Sequence, residues 1–393
     1  MIYFNRVMPF QFFLFLTFII ALNDGLQIYL GPLSWVPLLL FVLFYFRPRI
    51  LLGVYSVIWL FFICIVLLNS LVSDDPINVL VRALKFFLIF FFLTIMYKGD
   101  AVNRMLHPLM VAIYFSILIN VFFIIAALSL DLSNLAWVGG GFRWETFFAR
   151  PGTLYFSGAA FILIFTYDFF FKTGYIRLNA FFSIFMLFMS LLVVFLDGSR
   201  TAFIALICGI ITIVAFSRST VLKLKFISCC LVIFIPLLIF LTSYDFINFN
   251  RFFSLAESTS FYDADPIRFK LLVESIDWIL TNNPVFFGNG FSSTINAHGF
   301  QFVVHNAFLL VLEKLGLLAL VLYALIVLSP IFTVVFRCLT FLPNRFFQNN
   351  FYLVFVFWFM FFTGVMFHPL STEFGPWFFY IISVLFANRN MVR

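Results

Sequence analysis

Twelve apolar stretches, each near the length needed to cross a bilayer, dominate this chain: roughly 10–22, 28–46, 50–72, 80–97, 106–130, 153–171, 178–196, 200–216, 222–243, 316–337, 350–367 and 374–388. In lipid such a stretch satisfies its own backbone groups only as a helix. Of the 393 residues, 64% are hydrophobic and 10% charged, too few charges to cover a water-soluble domain. The expected fold is an all-α integral membrane protein with about twelve transmembrane helices. The run from Phe10 to Leu22 lacks a small-residue cleavage site and is followed by further spans, so it reads as a first anchor. Cys64, Cys208, Cys229, Cys230 and Cys338 all fall in or at the end of apolar runs, with neither a disulfide framework nor a metal-ligand spacing.

Polar interruptions divide the chain. The longest runs from Tyr244 to Val304, between the ninth and tenth stretches, and a shorter one from Asp131 to Gly152. The expected organisation is a nine-span region over 1–243, a loop with short helices over 244–304, and a region over 305–393 holding a His-Asn helix and the last three spans.

The net charge of +7 resolves into a topology signal rather than a nucleic-acid footprint. With the N-terminus in the cytoplasm, Arg6, Arg47, Arg49, Lys98, Arg104, Lys172, Arg177, Arg218, Lys223, Lys225, Arg337, Arg345, Arg389 and Arg393 fall inside, accompanied only by Asp100 and Asp168. That segregation follows the positive-inside rule and an even span count, with both termini cytoplasmic. Nine bases remain on the outer side: Arg82, Lys85, Arg143, Arg150, Arg200, Arg251, Arg268, Lys270 and Lys314. Cations there oppose the insertion bias, and an anionic ligand or the outer acids must answer them.

In the long loop, Asp265 can cap a helix that Pro266 opens and that stops near Asn282-Asn283-Pro284. At about 100° per residue, Lys270, Glu274, Asp277 and Thr281 form one polar stripe. Arg268 projects to nearly the opposite face, beside Leu272, Ser275 and Ile279. A guanidinium there needs a partner: a phosphate, which its planar fork fits, or a buried carboxylate. Downstream come a Gly288-Asn289-Gly290 turn and His305-Asn306 at the mouth of an apolar helix. His305 is either an interfacial hydrogen-bonding side chain or a general base. In the shorter loop, Arg143 and Arg150 either meet an anion or pair with Glu145. His368 reads as structural. The adjacent acids Asp74 and Asp75 are ordinary loop residues rather than a metal site.

The order Arg268, Trp278, Asn283-Pro284, Gly288-Asn289-Gly290-Phe291, His305-Asn306 and, nine residues on, Gly316 resembles the signature region of the O-antigen ligase superfamily. Gly198-Ser199-Arg200-Thr201-Ala202 is similar to its Ser/Thr-Arg element. Motif covers about 120 residues, and the rest agrees only in topology; Ala319 stands where many members carry glycine. The resemblance implies a GT-C-like membrane glycosyltransferase of the bacterial inner membrane, working on the periplasmic face. It would take a glycan from undecaprenyl diphosphate and pass it to a hydroxyl of lipid A-core. It implies that Arg200 and Arg268 hold the diphosphate, with Arg143, Arg150 and Asn306 as further contacts, and that His305 assists the acceptor. No metal or other cofactor, and no nucleic acid, enters this expectation; membrane lipid and the two glycan-bearing substrates are the partners. A repeat-unit polymerase on the same carrier is the nearest alternative. A polysaccharide flippase is a third, against which no inverted repeat is visible.

Overall fold

The described parts of the apolar stretches are largely helical in the computed structural model, which describes residues 4–45, 54–73, 75–96, 99–130, 132, 134–139, 143–150, 152–217, 219–243, 266–282, 288, 290, 295–297, 300–302, 306–340, 345–367 and 374–388. His305, His368, Asp74, Arg251, residues 140–142 and 244–265, and the side chain of Arg268 lie outside the described residues. The order is α1 (Phe4–Leu22), α2 (Gly25–Leu30), a 3-10 turn (Gly31–Trp35), α3 (Val36–Tyr45), α4 (Val54–Asn69), α5 (Pro76–Met96) and α6 (Gly99–Leu130). A hairpin of β1 (Ala136–Gly139) and β2 (Arg143–Thr146) follows, then α7 (Tyr155–Phe171), α8 (Ala180–Asp197), α9 (Arg200–Phe216) and α10 (Thr220–Ser243). The remainder is α11 (Pro266–Asn282), a hairpin of β3 (Ile295–Ala297) and β4 (Phe300–Phe302), α12 (Ala307–Leu315), α13 (Leu317–Thr340), α14 (Arg345–Phe367) and α15 (Phe374–Asn388).

The protein is an α-helical membrane protein. Five described helical segments are long and apolar enough to cross a bilayer: Gly25–Tyr45, Pro76–Met96, Arg104–Leu130, Ala180–Asp197 and Leu317–Phe336. Shorter apolar helices surround them, among them Tyr155–Phe171, Arg200–Phe216 and Gly375–Ala387. The second stretch is not one straight helix. Gly31 takes a positive φ of 52° and Pro32 follows, so the chain tightens into a 3-10 turn before α3 resumes.

α15 lies at the centre, packed on α14, α1, α13 and α5, and from Trp377 to Ala387 every residue is buried. A helix apolar all round has no face to offer water, and the bundle interior is where it fits. Sparse hydrogen bonds join the helices: Tyr55 Oη to Tyr380 Oη at 2.6 Å, Trp358 Nε1 donating to the Val327 carbonyl at 2.8 Å, and Ser383 Oγ to the Val354 carbonyl at 3.0 Å. Where apolar contact brings no gain over lipid, such bonds and close backbone approach carry association. Gly158 provides one such approach, since a Cβ there would stand 2.6 Å from the Ser190 carbonyl oxygen on α8.

Candidate functional site

The corner between α8 and α9 is built by three successive residues. Gly198, with φ of 64°, closes α8; Ser199 caps α9, its Oγ accepting from the Ala202 amide at 3.5 Å; Arg200 is the first residue of α9 and half-buried. Asp197, just before them, is fully buried, and its two carboxylate oxygens accept from the amides of Gly152 and Tyr155, both at 2.9 Å. Those amides stand at the start of α7, where the helix has no internal acceptors and its dipole is positive. One carboxylate therefore locks the entry of α7 to the exit of α8. Arg143, from β2, lies across both turns: a Cβ at Gly198 would meet its Cγ at 3.4 Å, and one at Gly152 its Nη1 at 3.7 Å.

Arg150 approaches from the same side. Its Nε stands 3.4 Å from Asp24 Oδ2, with Asp24 1% exposed and the arginine side chain 36% exposed. The carboxylate that meets Arg150 is thus at the end of α1, not Glu145, which lies in β2 opposite Trp137. A buried polar cluster fixes this junction. Asn23 Nδ2 donates to Ser116 Oγ at 2.7 Å, Asn120 Nδ2 to Asn23 Oδ1 at 3.0 Å, and Thr146 Oγ1 to Asn120 Oδ1. Thr146 Oγ1 in turn accepts the amides of Phe148 and Ala149. The hairpin is therefore bolted to α1 and α6, and Arg143, Arg150 and Arg200 come to one rim, with buried Asp24 beside Arg150 and buried Asp197 fastening the turns beneath.

The His-Asn side is organised by caps. Asn306 Oδ1 accepts from the amides of Phe308 and Leu309 at 3.0 and 3.1 Å, starting α12, and its Nδ2 donates to the Met366 carbonyl on α14 at 3.2 Å. Helix α12 has nine residues and Gly316, φ 86°, ends it. The nine-residue interval between Asn306 and Gly316 is one helix from cap to cap. The Gly288–Gly290 turn is a dock for its far end. Gly290 N–H and Asn69 Nδ2 both donate to the Lys314 carbonyl at 3.1 Å, and a Cβ on Gly288 would fall 2.3 Å from that carbonyl. Lys314 Nζ meets Glu313 Oε1 at 2.7 Å, with both residues buried.

Helix α11 runs between the limits that Pro266 and Asn283-Pro284 predict, and it packs on α12 and β3. Ser275 and Ile279 are buried, whereas Lys270, Asp277 and Thr281 are exposed, so the polar stripe faces out. Lys270 and Glu274 pair along it at 3.7 Å. Helical spacing assigns Arg268 to the face of Ser275 and Ile279.

Both groups occupy one end of the bundle. The start of α15 touches α7 and α1 there, a Cβ on Gly375 lying 2.7 Å from the Phe156 ring and 3.1 Å from the Ala21 carbonyl oxygen. Of the six candidate residues, Arg143, Arg150 and Arg200 share the rim. The Asn306 side chain caps α12 and ties it to α14. Asp24, Asp197 and Glu313 were missed in the sequence, although acids at the very ends of apolar runs are the signal that marks the first two. Among the described residues no three His, Cys, Asp or Glu side chains gather in a metal-ligand group. No family model matches this chain, and no curated protein matches it.

Proposed function

We propose that the chain is a twelve-span, GT-C-like glycosyltransferase of O-antigen ligase type, in a bacterial inner membrane with both termini cytoplasmic. It transfers a glycan from undecaprenyl diphosphate to a hydroxyl of lipid A-core on the periplasmic face. The observation that carries the reading is the rim of three arginines on a membrane bundle, Arg143, Arg150 and Arg200, with Asp24 beside Arg150 and Asp197 fastening the backbone turns beneath, at the same end as the helix that follows His305-Asn306.

In this reading Arg200 and Arg268 grip the diphosphate, with Arg143 and Arg150 beside them, and neutralise the charge that develops as it leaves the anomeric carbon. His305 takes the proton of the acceptor hydroxyl as the new glycosidic bond forms. Asp24 and Asp197 hold the rim in place before substrate arrives, so little reorganisation accompanies binding.

The test is transfer by the purified protein in lipid, with a polyprenyl-diphosphate-linked glycan as donor and lipid A-core as acceptor. Glycosylated lipid A-core is expected. Longer glycan on the carrier, formed without that acceptor, would make the protein a repeat-unit polymerase. No transfer to either acceptor would overturn the reading.

A further inference from the structure

Helices α8, α9 and α10 leave an apolar cavity of about 610 Å³ between them, lined by Leu191, Phe203, Ile207, Ile211, Ile227 and Leu231 among others. α10 leans on α8. Ile207, Ile211, Ile227 and Leu231 are exposed, so the groove opens sideways toward lipid. Thr166, a rare polar residue on its wall, turns its hydroxyl back onto the Ile162 carbonyl of its own helix at 2.7 Å. The groove offers no other molecule a hydrogen bond there.

Its position on α9 is the informative part. The lining begins at Phe203, three residues from Arg200, and ends at Ala215. At 1.5 Å per residue it is about 18 Å long and starts about 5 Å below the arginine, close to the depth of one leaflet. Phe195 and Phe203, with ring centroids 5.4 Å apart, form its upper edge, and Phe226 packed against Phe169 and Phe170 forms its lower edge. A long apolar trough that begins one helical turn below a cationic rim matches a lipid with an apolar chain and a multiply charged head. A zwitterionic diacyl lipid brings two chains and no net charge.

We infer that this groove seats the isoprenoid chain of the diphosphate-linked donor, an inference that rests on the function proposed above. Lipid tails are as apolar as the groove wall, so entering it brings little free energy. Affinity then resides in the arginines, and the groove orients the chain so that the diphosphate arrives in one direction.

The test uses the unaltered protein in vesicles of phosphatidylethanolamine and phosphatidylglycerol, with a photoactivatable polyprenyl diphosphate. Crosslinks on residues 203–215 and 226–233, suppressed by unlabelled polyprenyl diphosphate but not by added diacyl lipid, are expected. Ile210→Trp, which fills the trough, should raise KM for a long-chain donor roughly three- to tenfold more than for a short-chain one. Saturable crosslinking elsewhere would remove the groove and leave the transferase reading standing. Equal suppression by a diacyl lipid would make the groove an ordinary lipid contact and overturn the inference. No saturable crosslinking anywhere would overturn the inference and the transferase reading together.

Discussion

At the corner between α8 and α9, Gly198 closes one helix, Ser199 caps the next, and the cation that follows, Arg200, stays half-exposed at the rim. At the corner between α12 and α13, Gly316 also ends a helix with a positive φ, yet the nearby cation Lys314 is 6% exposed and already meets Glu313. Two similar turns therefore use charge differently. In the first the carboxylate, Asp197, is committed to backbone amides, and the arginine keeps a surface to offer. In the second the carboxylate is committed to the lysine, and the backbone carbonyl is the group that docks neighbours. The two cations thus differ in exposure: Arg200 reaches the surface at the rim, whereas Lys314 is enclosed with its carboxylate.

The widest break between the corners concerns Lys314. Removing it leaves Glu313 buried without its nearest described cation, which costs about 3–5 kcal/mol for a buried pair broken on one side. Lys314→Ala should sharply lower thermal stability in detergent, while the surviving folded fraction transfers glycan at the normal rate. The double variant with Glu313→Ala should recover most of that stability. If the double variant is no more stable than the single one, the pair is not what Lys314 supports.

Arg200 and His305 should fail in the opposite way. Arg200→Lys keeps the charge and loses the fork, and His305→Ala removes the base that the proposed reaction assigns to the acceptor. Each should lower transfer on the order of a hundredfold, with protein level and melting temperature near normal. Donor binding should weaken in the arginine variant alone. A stable Arg200→Lys protein with full turnover would erase the distinction between the two corners.

How much of this was written in the sequence differs between the corners for a physical reason. The all-helical membrane character and the Pro266 start of α11 are local patterns, set by residues a few positions apart, and they are legible. The exposed stripe of Lys270, Asp277 and Thr281 is legible for the same reason. The rim is not. Arg150 meets Asp24 from the end of α1, and Asp197 reaches back to Gly152 and Tyr155. No periodicity links those positions, so the sequence offered Glu145, the nearest acid, in place of Asp24. The proposed function rests on a motif order in the sequence, which no periodicity or packing pattern supplies.

Asn306 separates cap from ligand contact. Its side chain accepts two amides and donates to α14, so Asn306→Ala should cost about 1 kcal/mol for the lost cap, with a further loss from the freed Met366 carbonyl. Asn306→Asp preserves the cap and removes the amide donor. Its melting temperature should fall between those of the alanine variant and the unaltered protein. An aspartate variant that melts normally but has lost donor binding would make Asn306 a substrate contact rather than a fastener.

The smallest effect belongs to Lys270, the outward base whose pairing is plainest. It sits on the exposed stripe of α11, 66% exposed, and reaches Glu274 one turn on at 3.7 Å. Such pairs contribute about 0.3–0.5 kcal/mol, and the order here, with lysine before glutamate, is the weaker orientation along a helix. Lys270→Ala should therefore shift the melting temperature barely and leave transfer unchanged. Arg268, two residues earlier, belongs by helical spacing to the face of Ser275 and Ile279, so Arg268→Lys should cost far more in transfer although it removes no charge. Measured side by side, the two substitutions ask whether the face or the charge of α11 matters. A Lys270→Ala protein as impaired as Arg268→Lys would mean that the outer stripe, and not the buried face, meets the substrate.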